Sequence, residues 1–167
     1  MTAYATVADL AAVALDGWEE LAQRTTRDPR VIGELLEQLY NGETPTADAD
    51  VTALATAALT KLESTLDAVS RYADTYLNQR YRDAIPLAQE LYADTGLPFA
   101  VASIAMGRLY GVNQSDELRK TIAQSESYLR DLASGVASLN YQQASTPEAP
   151  GKMHVKAKSS AFDWSGY

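Results

Sequence analysis

Few residues of this chain could carry chemistry, and most of them stand in the wrong company. The single histidine, His154, lies among lysines in a stretch rich in Ser, Pro and Gly, so a catalytic triad or a metal site finds no second imidazole. The absence of cysteine removes thiol nucleophiles, disulfides and thiolate metal sites, and leaves the redox compartment undecided. Carboxylate-bridged metal bundles need Glu-x-x-His pairs on facing helices, and none occurs; no glycine-rich phosphate cradle occurs either. Glu43, Asp48 and Asp50 suggest a calcium loop, but the glycine, the alternating ligands and the last glutamate of an EF-hand are out of register. Capping of the next helix by Asp48 or Asp50 explains them better. Tyr72, Tyr76 and Tyr81 could be drawn as an aromatic binding box, yet aromatics at helical spacing read first as packing residues. The expectation is a protein that is not an enzyme and takes no cofactor and no metal.

A different kind of chemistry sits in the last residues. From Gln142 to Ala161 there is no Phe, Trp or Tyr, and Ser145, Thr146, Pro147, Pro150, Gly151 and Lys152 give a composition that cannot build a core. Phe162, Asp163, Trp164 and Tyr167 then place three aromatics within six residues. Apolar anchors after a flexible arm suit docking into a groove on a partner, or folding back onto their own subunit; the sequence leaves the two readings equal.

The elements that would position such groups are helical. From Val51 to Gln79 no proline or glycine intervenes, and Val51, Leu54, Ala55, Ala58, Leu59, Leu62, Leu66, Val69, Tyr72, Ala73, Tyr76 and Leu77 recur at spacings of three and four. This predicts one long helix along which the others pack, with Lys61, Glu63, Asp67, Arg71 and Asp74 mostly off the apolar stripe, on a solvated face or at the rim of a contact with another subunit. Thr6 and Asp9 form a capping box for a first helix over Val7 to about Leu15, with Leu10, Ala11 and Ala14 inward, and Gly17 interrupts it. Asp28-Pro29 predicts a helix start running to Tyr40. Pro86 breaks the chain beyond the long helix, and Leu87 to Ala93 reads as a short helix. From Leu97 to Tyr110 the apolar residues, among them Phe99, Val101, Ile104, Met106 and Leu109, surround nearly the whole circumference, which predicts a central, closely packed helix. A last single-stripe helix is capped by Asn113 or Ser115 and ended by Gly135.

Together these features predict an all-α fold, a helical bundle around one long central helix (about 51–79). They divide the chain into a helical body over 1–140 and a flexible tail over 141–167. No apolar run approaches the roughly 20 residues a bilayer requires, and Met1 to Asp9 does not read as a signal peptide, so no membrane is expected. The net charge of −8 is uneven: residues up to Asn140 carry 11 basic and 20 acidic residues, and the remainder is +1. So acidic a body is a poor grip for phosphate backbones, because nonspecific DNA affinity comes largely from Lys and Arg displacing condensed counterions. Solubility alone would also account for the charge.

The order of certain motifs is more specific than any of them singly. Tyr4-Ala-Thr-x-x-Asp-Leu10, Tyr76-Leu-Asn-Gln-Arg80-Tyr81, Arg108-Leu-Tyr110 and Tyr128-Leu-x-x-Leu132-Ala-x-Gly135, followed by Phe162-Asp-Trp-Ser-Gly-Tyr167, resemble the head-tail connector proteins of Mu-like phages and prophages. The resemblance covers about Tyr4 to Leu139 and departs around Arg82 to Leu97, where this chain is longer. It implies a virion protein of the neck, present in the bacterial cytoplasm during assembly. Such a protein would complete the DNA-filled head as an adaptor ring, which the resemblance implies is dodecameric, beneath the portal protein, with a tail or stopper protein below and double-stranded DNA passing through its channel. A rival reading from the residues alone is a small helical binding or regulatory protein whose aromatic tail is a recognition peptide.

Overall fold

Twenty-nine residues without proline or glycine, Ala49–Leu77, form the long helix of the computed structural model, which describes residues 3–139. In chain order the described residues give α1 (Val7–Val13), α2 (Gly17–Thr25), α3 (Gly33–Tyr40), α4 (Ala49–Leu77), α5 (Gln89–Tyr92), α6 (Leu97–Tyr110) and α7 (Asp116–Ser134), with no strand among them. The fold of the described residues is an all-α bundle, as the periodicities require. The tail over 141–167, with Phe162, Asp163, Trp164 and Tyr167, lies outside them.

Helix α4 starts and ends about two residues earlier than the sequence pattern suggests. Val51, Ala55, Ala58, Leu62, Leu66, Val69, Ala73 and Leu77 are buried along one face, the consequence of three- and four-residue steps on a helix of 3.6 residues per turn. Leu54 lies off this line and is exposed, while Leu59, Tyr72 and Tyr76 are half-buried at its edge. The solvated-face assignment fails at Asp74. Its side chain is buried because it follows Ser70 by one turn on the face that receives the N-terminal segment.

The capping box of α1 is present: the Thr6 hydroxyl accepts from the Asp9 amide at 3.1 Å, and the Asp9 carboxylate accepts from the Thr6 amide at 2.7 Å. Chain reversal at Gly17, whose φ of 57° suits glycine, leads into α2. The expected helix start at Pro29 does not occur. The Asp28 carboxylate is taken by the Arg30 amide and guanidinium, which closes a turn, and α3 begins only at Gly33. Gly33 is required there by contact: a Cβ would lie 2.4 Å from the Glu19 backbone nitrogen, so α3 starts directly against α2. Its amide donates to the Glu19 carboxylate at 2.8 Å.

Between α4 and α6 the chain makes a 3-10 turn at Arg82–Ala84, a cis Ile85–Pro86 peptide and the single turn of α5, shorter than the expected Leu87–Ala93 helix. Helix α6 packs against α7, α1 and α4. Val101, Ile104 and Met106 are buried and Leu109 is half-buried, but Phe99 is 56% exposed, so the helix is not enclosed all round. Within its first turn Leu97 is buried, while Phe99 lines an open groove between the end of α1 and the start of α7. The Ile122 side chain of α7 lies over Gly107, where a Cβ would come 2.4 Å from its Cδ1. Ser115 caps α7 by accepting from the Leu118 amide, and Gly135 ends it in the left-handed region. The chain then returns to the end of α4, where the Leu139 amide donates to the Tyr81 hydroxyl at 3.1 Å.

Candidate functional site

Two surfaces of the bundle gather polar or apolar groups in a way that packing alone does not require. The first is a closed corner built on α4. Tyr4, 2% exposed, donates its backbone N–H to the Ser70 hydroxyl at 3.0 Å and its own hydroxyl to the Asp74 carboxylate. Tyr92 of α5 meets the Tyr4 ring edge-on at 5.1 Å between centroids and reaches the Ala3 carbonyl. Burial, reinforced by the Asp74 carboxylate, pushes the Tyr4 hydroxyl well above the ordinary tyrosine range; burial raises Tyr92 as well. Since these side chains bond to one another, the corner fastens the N-terminal segment across α4 and offers no free group to a ligand.

The second surface is a groove of about 280 Å³ over α6, between the end of α1 and the start of α7. Leu15 and Phe99 stand on its lips, 85% and 56% exposed, and Met106 and Leu118 line it. At one wall the buried Glu20 carboxylate accepts from the Leu15 amide at 2.8 Å and faces Arg24 at 3.9 Å, while the Arg24 guanidinium sits 3.8 Å from the Tyr110 ring centroid. The wall is thereby internally neutralised. The outer rim carries Asp116 and Glu117 in the first turn of α7. Pockets for drug-sized ligands run upwards from about 300 Å³, so this groove suits one or two side chains of a protein segment.

The sequence-derived candidates are placed as follows. Tyr72 and Tyr76 do come together, hydroxyl to hydroxyl at 2.8 Å and ring edge to face, with Arg108 over Tyr72. The shared hydrogen bond, with burial second, pushes the Tyr72 hydroxyl up to about 12. Tyr81 stands apart, buried at the Leu139 contact. Leu62, Leu66 and Val69 lie in the core, as do Val101, Ile104 and Met106. Asp50 pairs with Arg30 at 2.9 Å, which together with Asp28 accounts for the lowered carboxyl groups of both aspartates; hydrogen bonds from Arg30 are the main cause. Asp48 occupies the N-cap of α4 without a side-chain capping bond. Sequence reasoning missed both the Tyr4 corner and the groove. Ser70 and Asp74, polar residues four apart among buried neighbours, were the available signal for the first; for the second there was none beyond an apolar Phe99.

Over residues 4–157 the chain matches the family described as Bacteriophage Mu, Gp36. It belongs to that family. The match includes the Tyr4 motif, every helix of the bundle and the longer segment between Arg82 and Leu97, and it extends past Leu139 into the region beyond the described residues. No curated protein and no solved structure matches this Gp36-family chain. No helix among its described residues is long and apolar enough to cross a membrane.

Proposed function

We propose that this Gp36-family chain is a structural virion protein, a head-tail connector or adaptor with no catalytic role. It assembles as a ring under the portal, completes the DNA-filled head and provides the tail attachment site and the DNA channel. The observation that carries the reading is the family match, which spans the whole helical body and reaches beyond it. Three physical features support it. A long α4 and an α6 rich in small residues, with Ile122 of α7 seated over Gly107, suit side-by-side packing in a ring. A body with 20 acidic and 11 basic residues would let a duplex pass without retaining it. An open apolar groove leaves a place for contact with another protein segment.

In this reading the helical body forms the ring and residues 142–167 dock on the portal or on a neighbouring subunit through Phe162, Trp164 and Tyr167. Repetition around a ring makes even weak arms hold, because each later contact forms at high effective concentration. Truncation after Tyr141 tests it: the body is expected to fold and its attachment to filled, tailless heads to weaken, whereas normal attachment would refute the role given to the arm. A chain that remains small and ignores heads altogether would favour the regulatory reading instead.

A further inference from the structure

We propose that the groove over α6 is the receptor for the chain's own aromatic segment, Phe162–Tyr167, docked within the same molecule while the protein is free. Three observations point to this occupant. The first is shape and polarity: a groove of about 280 Å³ between Leu15 and Phe99, with its one buried charge, Glu20, facing the exposed Arg24 at 3.9 Å, accepts aromatic side chains on an apolar floor of Met106 and Leu118. The second is charge. Glu117, in the first turn of α7, lines the groove, with Asp116 beside it in an exposed pair with Arg119, and Lys152, Lys156 and Lys158 shortly precede the aromatic segment.

The third is reach. Leu139 is held at the far end of α7 by Tyr81, and the groove lies at its near end, so the tether must span the length of that helix. This is about 27 Å at roughly 1.5 Å per residue. The 22 residues from Asn140 to Ala161, taken as a coil, have a root-mean-square length of roughly 26 Å. Effective concentration is greatest when tether length matches span, which favours the segment of the same molecule over that of a second one. Docking covers Leu15 and Phe99 until a partner takes the segment, so that arm and groove become available together. The inference concerns the free chain and stands or falls separately from the ring.

The test uses the full chain. It contains two tryptophans, so Trp18→Phe leaves Trp164 as its only one, a direct reporter on the segment. Trp164 fluorescence is expected to be blue-shifted and quenched by acrylamide several-fold less than in a free peptide of residues 152–167, and to stay so on dilution. Phe99→Glu and Leu15→Glu, both at exposed positions that do not hold the core together, are each expected to return the quenching to the peptide's level. A Trp164 as exposed in the full chain as in the peptide would overturn the proposal. So would shielding that survives both substitutions, which would place the segment elsewhere, or shielding lost on dilution, which would assign it to a second copy.

Discussion

The closed corner at Tyr4 and the open groove at Phe99 are both aromatic contacts with α1 and α6 nearby, but they are finished to different degrees. At the corner each polar group found its partner within the chain: Tyr4 with Ser70 and Asp74, Tyr92 with Ala3. At the groove two large apolar side chains face solvent, although the charges behind them are paired. An unpaired buried polar group is destabilising, so a fold completes such a site internally. An exposed apolar pair costs a folded monomer little, and it is retained where something else covers it. The comparison separates a fastening from a docking surface.

The comparison breaks most severely at the corner. Tyr4→Ala removes a buried ring and a hydrogen bond together, with an expected loss of about 3–5 kcal/mol, read as a fall in Tm on the order of 10 °C. Gly33→Ala, which drives a Cβ into the backbone of Glu19, is expected to cost about 1–3 kcal/mol in denaturant unfolding, since neither helix has a rotamer to yield. Tyr4→Phe keeps the ring and removes only the donation to Asp74, for a loss of about 1–3 kcal/mol.

The same hydroxyl gives a pH signature. Because the Tyr4 pKa is raised in the folded state, its contribution is complete below the unfolded value of about 10 and declines as pH rises above it. Alkaline unfolding curves are expected to show that decline in the native chain and to lose its Tyr4 component in Tyr4→Phe. At the groove, by contrast, Phe99→Glu is expected to change stability by less than about 0.5 kcal/mol, because the residue is mostly solvated already. Its effect belongs to docking.

Much of this bundle was legible in the sequence because helical period and capping are local. The Thr6 box, the uninterrupted α4 stripe, and the ends of α6 and α7 at Gly111 and Gly135 each follow from residues within a few positions of one another. What failed depended on distant partners. Asp74 reads as a surface residue until Tyr4, seventy positions away, is laid over it, and Phe99 reads as core until the end of α1 and the start of α7 leave a groove open beside it. Pro29 failed for a local reason: two hydrogen-bonding modes competed, and the Asp28–Arg30 turn prevailed over a helix start. The aromatic arm was legible as a composition and its partner was not, since a groove made by three helices has no linear signature.

The connector proposal is tested most directly by one measurement, the mass of the purified full chain by light scattering, alone and mixed with isolated portal. The expected result is a change from a small species to a portal-bound ring. A chain that keeps its small mass in the presence of portal and of DNA-filled, tailless heads would contradict the account.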